Sequence, residues 1–455
     1  MAPWSDTEVV VTGLQGGVGA LLARDVLLRG AKKVWLHHPV IEDVIDESHL
    51  ETSCGLLREN DLGDGVASAF ARRLRGYGVV ESLGHELLDV DTLPSKALVC
   101  ACDGAGPLSA SAGLGEACRR SGRGFAFVHS QGFTGTVFVD SGTPNSQTLY
   151  QALRPQSTTE NHVTAELTPR AAELHAAFLR SNPETRWLLA KNEKVFKNNF
   201  EALDNGANAT GPSPGPFAAH VCEIAVEAIA RTIGVEGKCV ENAEPPLSQW
   251  THVDALDVLD PNFNQNNSPL PKSVTSDYEP ISSGAVEGTE TKTTTAADAD
   301  TEQIERPTQL SLVGEDVQSK LTTGRVLLAG VETEGGGTAL LSLCAAGVGE
   351  IVPVDDDSGT GDDPSTHPIL RIAGDLSCAS PAVTCARVNA TLFPDVLVET
   401  MRTDKDSSDE KWLAQVDARA SPSSFSFSDS PKVISSTGAA AAMEVLRIAA
   451  RNDSQ

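Results

Sequence analysis

A repeated pattern of strand, glycine turn, helix and strand constrains the fold of this chain more than any other feature. One copy occupies residues 9–39 and the second occupies residues 326–357. In each copy an apolar segment ends at a glycine, an amphipathic helix follows, and a second apolar segment completes the unit. A unit of this kind requires a parallel sheet with a right-handed crossover. The sequence therefore predicts an α/β fold with two related Rossmann-like units, or an ancient duplication.

The length of 455 residues suits two or three domains. We predict a first repeat over residues 1–150, followed by a helical segment and a returning part of its sheet over 151–260. Residues 261–308 are polar with few apolar side chains, so they are predicted to form a disordered linker. A second, shortened repeat is predicted over residues 309–455.

Several elements outside the repeated pattern are also predicted. Residues 165–204 and 217–234 have helical character, and an alanine-rich helix is predicted over residues 437–452. Residues 114–140 predict a helix followed by two strands. Residues 246–259 resemble a strand that pairs at a sheet edge.

The formal charge of −27 argues against nucleic acid or an anionic membrane as the main partner. Such acidity would suit a basic protein partner, although it more often maintains solubility. No apolar run approaches the length of a membrane span, and the first residues show no signal peptide. We therefore expect a cytoplasmic or nuclear protein.

The nine cysteines are scattered and include no pair with two intervening residues. This spacing argues against a common zinc site and favours a reducing compartment. Cys100, Cys102 and Cys344 are interpreted as core residues, and no thioester-forming cysteine is identified. His37 and His38 are interpreted as a pair at the end of a strand rather than as metal ligands.

The two glycine turns differ in quality. The first contains Gly13, Gly16 and Gly19, whereas the second begins at Gly330 and has Glu332 before its later glycines. Glycines let the backbone of a helix N-terminus approach a phosphate, and a carboxylate about 4 Å from that anion would cost about 4 kcal/mol at an intermediate dielectric. The second turn ends at Gly335, or at Gly336 or Gly337 if the alignment shifts.

Seven segments resemble, in the same order, the ubiquitin-activating enzymes, a family with adenylation repeats of the ThiF type. The resemblance covers most of the chain outside the linker, but the family's catalytic-cysteine domain and ubiquitin-fold domain have no counterpart. The matching segments are 9–38, 58–70, 127–142, 215–230, 246–259, 309–321 and 432–448. The resemblance implies two adenylation-type units packed as a pseudo-symmetric pair.

In this family the second repeat binds ATP and Mg²⁺ and adenylates the C-terminal glycine of a ubiquitin-like protein. The resemblance thereby implies a degenerate ATP site at Gly330, Gly335, Gly336, Asp355 and Asp357. An acidic turn after a strand explains the two aspartates nearly as well. The family's first repeat does not hydrolyse ATP, so its glycines here are interpreted as packing residues.

Most charged residues of the family's catalytic set are replaced. Thr366 and His367 stand where the resemblance expects asparagine and arginine, Cys378 or Ser380 replaces a lysine, and Ala414 aligns with the metal-binding aspartate. No catalytic residue is therefore assigned. Loss of one such contact costs several kcal/mol of barrier, about 3 kcal/mol in measured cases, so adenylation is disfavoured. Nucleotide binding without turnover stays open.

Three hypotheses follow from these observations. The first is a catalytically degenerate protein of ubiquitin-like modifier activation that binds or regulates a ubiquitin-like protein, a conjugating enzyme or an activating-enzyme partner. The alternative is a working subunit of a heterodimeric activating enzyme whose cysteine lies on another chain. The third is an unrelated Rossmann enzyme that uses a dinucleotide, which the incomplete glycine motif disfavours.

Overall fold

The computed structural model describes most of two sheet-forming regions of the chain. Its described residues are 4–40, 43–83, 88–94, 97–143, 146–153, 171, 174–175, 178–179, 212–233, 249–255, 258, 306–354, 367–373, 380–399, 413–417, 432–434 and 438–451. The predicted helical segment 165–204 and the predicted linker 261–308 lie almost entirely outside these residues. Asp355, Asp357, Thr366 and Cys378 also lie outside them.

The first unit is built on a seven-stranded sheet. Its strand order is β3-β2-β1-β4-β5-β6-β7, and the first five strands in that order run parallel to their neighbours. The strands are β1 Glu8–Thr12, β2 Lys33–His37, β3 Val80–Ser82, β4 Leu98–Ala101, β5 Phe125–Gln131, β6 Thr134–Asp140 and β7 Trp250–Asp254.

The second unit contains a five-stranded parallel sheet with order β10-β9-β8-β11-β12. Its strands are β8 Arg325–Ala329, β9 Glu350–Val354, β10 Leu397–Val398, β11 Leu413–Asp417 and β12 Lys432–Ile434. This order matches the parallel part of the first sheet, strand for strand. The predicted pair of related α/β units is confirmed.

Strand β6 runs antiparallel to both of its neighbours, β5 and β7. The prediction of a parallel sheet did not include this antiparallel part. β5 and β6 are joined only by Gly132 and Phe133, with Gly132 at a φ of 53°. A connection this short can only reverse the chain into an antiparallel hairpin. The predicted edge strand is confirmed as β7, which pairs with β6 in register Trp250 to Phe138.

Ten α-helices cover the two sheets within the described residues. Their bounds are α1 Val18–Leu28, α2 Glu47–Thr52, α3 Val66–Leu74, α4 Leu108–Arg120, α5 Leu149–Leu153, α6 Gly215–Ile233, α7 Pro307–Thr323, α8 Glu334–Ala346, α9 Pro381–Leu392 and α10 Ala440–Arg451. Short 3₁₀ turns occupy Glu59–Asp61, Val90–Thr92 and Leu370–Ile372. No helix among the described residues is long and apolar enough to cross a membrane.

The two units share one hydrophobic core. Helix α6 packs on α1 of its own unit and on α8 and α10 of the second unit. A single cluster of buried apolar side chains therefore runs from the first sheet into the second. Polar contacts also cross the boundary, because the Glu51 carboxylate accepts hydrogen bonds from the backbone nitrogens of Thr308 and Gln309 at 3.0 and 2.9 Å. These bonds satisfy free donors at the start of α7.

Candidate functional site

The carboxyl ends of the parallel strands are where open α/β sheets bind ligands, and both glycine turns lie there. In the first unit the turn from Gly13 to Gly19 joins β1 to α1. A Cβ on Gly13 would lie 2.4 Å from the Cys102 carbonyl oxygen, and one on Gly19 would lie 2.1 Å from the Gly13 oxygen. The loop after β4 thus rests directly on this turn. These close contacts are consistent with packing roles for Gly13 and Gly19, whereas a Cβ on Gly16 would meet nothing within 4 Å and its φ of +69° is what favours glycine there.

The second turn has the same spacing when its last glycine is Gly336. A Cβ on Gly336 would lie 2.1 Å from the Gly330 oxygen, which reproduces the contact between Gly19 and Gly13. Both turns therefore span seven residues, and Glu332 occupies the position of Gln15 rather than that of a glycine. The structure therefore selects the alignment in which Gly336 is the last glycine of the turn.

The N-terminus of α8 is capped by the protein itself. The Thr333 hydroxyl accepts a hydrogen bond from the Gly336 backbone nitrogen at 2.9 Å and donates to the Gly330 oxygen at 2.8 Å. The next residue, Glu334, places a carboxylate in the first turn of the helix and pairs with Arg29 of the first unit at 3.3 Å. Backbone donors at a helix N-terminus are the groups that would bind a phosphate. Here the Gly336 nitrogen is already hydrogen-bonded to Thr333, and the Glu334 carboxylate lies in the same helical turn as the remaining donors.

Two further contacts hold the second turn closed. His367 is fully buried, and its Nε2 donates to the Val331 oxygen at 2.7 Å while its Nδ1 accepts from the Ile369 and Leu370 nitrogens. The ring packs directly against Gly337, because a Cβ on that glycine would lie 2.5 Å from His367 Cε1. His367 is therefore a structural residue that fixes the turn.

Helix α10 begins directly against the same turn. The Gly438 nitrogen donates to the Gly335 oxygen at 3.1 Å, and the Ala439 nitrogen donates to the Glu223 carboxylate at 2.9 Å. Burial, together with the nearby charge of Asp25, raises the pKa of Glu223 to about 8. The first unit thus contributes a carboxyl group that is mostly protonated near neutral pH to the surroundings of the second turn.

The structure corrects the position assigned to the metal-binding residue. Ala414 is buried near the start of β11 and pairs with Val326, well before the carboxyl end of the strand. Asp417 is the residue in register with Ala329, which directly precedes Gly330. The alignment that set Ala414 against a metal-binding aspartate is therefore wrong, because Ala414 lies at the other end of the strand from the turn.

The remaining sequence candidates serve structural roles. Thr12 Oγ1 and His37 Nδ1 are 2.8 Å apart, and His38 accepts from the Leu14 nitrogen at 3.5 Å while pairing with Asp43 at 2.9 Å. No group of residues suited to holding a metal ion occurs among the described part of the chain. The seven described cysteines are all buried, and burial raises the thiol pKa of Cys54 to about 11 and of Cys102 well above its usual value. The interpretation of Cys100, Cys102 and Cys344 as core residues agrees with this burial.

A cavity of about 310 Å³ lies beyond the loop after β4, on the side of β5. Asp103 and His129 line it, with His129 Nδ1 2.6 Å from Asp103 Oδ1 and the Ser130 nitrogen donating to Asp103 Oδ2 at 3.1 Å. Burial opposes protonation of the imidazole, but the charge and hydrogen bond of Asp103 outweigh it and raise the pKa of His129. A carboxylate that orients an imidazole is an acid–base arrangement.

Sequence reasoning missed this pair. Asp103 follows the end of β4, and His129 lies on the adjacent β5, so the two are neighbours only through the strand order. An acidic residue after a buried strand, with a histidine in the next strand, was the signal that could have found them. No nucleophile lines the cavity among the described residues apart from the inert Cys102 thiol and Ser130. The Ser130 hydroxyl forms a hydrogen bond with the Ser213 hydroxyl.

We expect Asp103→Asn to lower the pKa of His129, because the neutral amide no longer stabilises the protonated imidazole against the effect of burial. The measurement is an NMR titration of the imidazole signals. A raised folded pKa contributes stability that is fully present below the unfolded value of about 6.5 and is lost as pH rises through the folded pKa. The stability difference between the variant and the wild type should therefore shrink as pH rises. An unchanged titration would show that Asp103 does not set the charge of His129. His252 is the internal control, because burial lowers its pKa to about 3 and the Asp103→Asn substitution should leave its titration unchanged.

The fold and the two turns define an α/β protein built from two units of the same strand order, each with a strand–turn–helix motif. No protein-family model matches the chain, and no curated protein sequence matches it. Among solved structures it is similar to E. coli MccB at 13% identity and a TM-score of 0.35, over 55% of this chain and 60% of that one.

Two further solved structures are similar to the chain at lower identity and lower TM-scores. MccB together with MccA-N7isoASN has 12% identity and a TM-score of 0.34, over 54% of this chain and 60% of that one. The selenomethionine form of PaaA has 12% identity and a TM-score of 0.28, over 35% of this chain and 50% of that one. The chain spans about three fifths of the length of MccB. The α/β class rests on the two parallel sheets themselves.

Proposed function

We propose that this chain is a catalytically degenerate relative of the ubiquitin-activating enzymes that acts as a binding or regulatory module in the ATP-dependent activation of a ubiquitin-like modifier. A ubiquitin-like protein, a conjugating enzyme or an activating-enzyme partner is the proposed binding partner, in the cytoplasm or the nucleus. The seven segments that resemble the family, in the family's order, support the assignment.

The observation that carries the loss of catalysis is the state of the second glycine turn. Thr333 occupies the Gly336 nitrogen, and Glu334 occupies the first helical turn. A triphosphate would have to displace a satisfied hydrogen bond and approach a carboxylate. In phosphoryl and nucleotidyl transfer the protein contributes mainly positioning and charge stabilisation. A turn that offers neither to an anion supports binding functions over turnover.

Asp417 favours a second candidate function. Its backbone lies at the carboxyl end of β11, next to the strand that leads into the glycine turn. Aspartate is a residue type that holds Mg²⁺ beside a bound nucleotide. The alternative proposal is therefore a working subunit of a heterodimeric activating enzyme that receives its cysteine domain from another chain.

A titration with Mg–ATP separates the two candidates. We expect millimolar Mg–ATP to leave the melting temperature unchanged, whereas a nucleotide at one hundred times its Kd would stabilise the protein by about 2.7 kcal/mol. ATP–pyrophosphate exchange with added ubiquitin-like proteins should be absent as well. Asp417→Asn is the matched variant and should behave as the wild type does. Exchange activity that disappears in Asp417→Asn would reject degeneracy and establish the second candidate.

A further inference from the structure

A cavity of about 370 Å³ lies between the two units, and no described residue of either glycine turn lines it. Two close contacts between the units bound it. A Cβ on Gly55 would lie 2.7 Å from Phe393 Cζ, and one on Gly76 would lie 3.1 Å from Ile372 Cγ2. The first unit therefore supplies one wall, from the loop after α2, from α3 and from the residues that follow α3. The second unit supplies the other wall, from the last 3₁₀ turn and α9.

Four arginines line this cavity in a chain whose formal charge is −27: Arg58, Arg72, Arg73 and Arg387. Two of them are held in place by the buried carboxylate of Asp61. Arg73 Nε donates to Asp61 Oδ2 at 2.7 Å, and Arg72 donates to both Asp61 and Asp64. Asp61 therefore neutralises part of the positive charge and fixes the geometry of one wall.

Arg58 and Arg387 differ from the first two because neither forms an ion pair with any other residue that the structure describes. Both side chains are exposed, and they come from opposite walls of the cavity. A guanidinium presents its donors in a planar fork that matches the oxygens of phosphate and carboxylate groups. Within the described part of the chain, the cavity thus has one guanidinium from each unit that is not in an ion pair.

Apolar side chains contribute part of the remaining lining, namely Leu56, Ile372, Val388 and Leu392, together with the ring of Tyr77. Tyr77 is buried, and burial raises the pKa of its hydroxyl to about 12, so the phenol itself is uncharged at neutral pH. The volume falls in the range of small-molecule sites, which combine an apolar lining with a few charged groups.

We propose that this cavity, the interdomain arginine site, binds a small phosphorylated molecule that has an apolar body. Arg58 and Arg387 bind the phosphate from the two sides, and the apolar body lies against Tyr77 and Ile372. A phosphate offers more oxygens to two forks than a carboxylate does, which favours a phosphorylated ligand. The inference stands independently of the proposed function, because no residue of either glycine turn contributes to it.

The test uses isothermal titration of the full chain with phenyl phosphate, inorganic phosphate and benzoate. Phenyl phosphate should bind most tightly, because it alone combines the phosphate with an apolar ring. Arg58→Ala and Arg387→Ala should each weaken its binding by about tenfold, the effect of losing one charge-assisted contact. Arg120→Ala is the matched control, since Arg120 is an exposed arginine on α4, away from the cavity.

Conservative variants separate fork geometry from charge. Arg387→Lys keeps the charge but loses the bidentate fork, so it should weaken binding by an intermediate factor. Melting curves of all variants should match the wild type because the substituted side chains are exposed. Absence of phenyl phosphate binding, equal weakening by Arg120→Ala, or full binding by both cavity variants would each overturn the proposal. Benzoate binding as tightly as phenyl phosphate would overturn the preference for phosphate.

Discussion

Arg306→Met should lower the free energy of unfolding by about 3–5 kcal/mol, the range observed when one member of a buried ion pair is removed. Arg306 and Asp395 are 7% and 8% exposed, and Arg306 Nη1 donates to Asp395 Oδ2 at 2.6 Å. The same guanidinium donates to the Ala345 and Cys344 carbonyl oxygens at the end of α8, at 2.7 and 3.0 Å. The substitution therefore leaves a buried carboxylate without its cation and removes two hydrogen bonds from the C-terminus of α8.

Urea denaturation measures this loss, and a double variant tests its cause. Arg306→Met combined with Asp395→Leu removes both charges, so it should recover a large part of the stability lost in the single variant. The exposed Arg120→Ala serves as the control and should change stability by no more than about 0.5 kcal/mol. A loss below 1 kcal/mol in Arg306→Met would mean that water compensates Asp395 and that the pair is not buried in solution.

Gly19→Ala and Gly336→Ala should each destabilise the protein by about 3 kcal/mol, at the upper end of the cost of overpacking a core. In both turns the added Cβ would lie 2.1 Å from a backbone oxygen, that of Gly13 or of Gly330. Backbone atoms cannot rotate away as a flexible side chain can. The strand and the helix would have to separate, and each helix is buried along its length.

A glycine in open space supplies the control for this pair. Gly113 lies within α4, and nothing approaches a Cβ built on it. Gly113→Ala should therefore be neutral or stabilising by up to about 1 kcal/mol, because alanine favours the helix. Thermal or urea unfolding of the three variants gives the comparison. If Gly336→Ala were as stable as Gly113→Ala, the seven-residue spacing of the second turn would be wrong.

The sequence was sufficient for the fold class because its evidence is local. Apolar segments that end at glycine, with a helix after them, identify strand–turn–helix units without knowledge of distant contacts. The edge strand β7 was also predicted from its own residues. The antiparallel end of the first sheet follows from the two-residue turn at Gly132 and Phe133, a local signal that the prediction did not use.

The details of the second turn depended on contacts that the sequence does not contain. Three consecutive glycines follow Glu334, and only the approach of Gly336 to the Gly330 oxygen identifies the one that closes the turn. The burial of His367 against Val331 joins residues from different segments. Likewise, the resemblance to the family aligned Ala414 with the metal-binding aspartate, and only the register of β11 with β8 shows that Asp417 is the residue beside the turn.

The residue pairs in the two cavities likewise depend on the tertiary structure, although the aspartate after one buried strand and the histidine in the next gave a sequence signal for the first pair. Asp103 and His129 meet because β4 and β5 are neighbours in the sheet. Arg58 and Arg387 meet because the two units pack together, which no local pattern specifies. Candidate sites of this kind require the tertiary structure.

The common core of the two units explains why both glycine turns keep their shape, whatever chemistry they support. When two units share one interior, the glycine that closes either turn is hard to replace, because the added methyl group would force apart elements on which both units depend. Mutation can then remove phosphate-binding groups while the outline of the turn is preserved by packing. In such a protein, packing alone can preserve a sequence motif that resembles a nucleotide-binding turn. Whether the turn binds a nucleotide has to be judged from the backbone nitrogens that remain free.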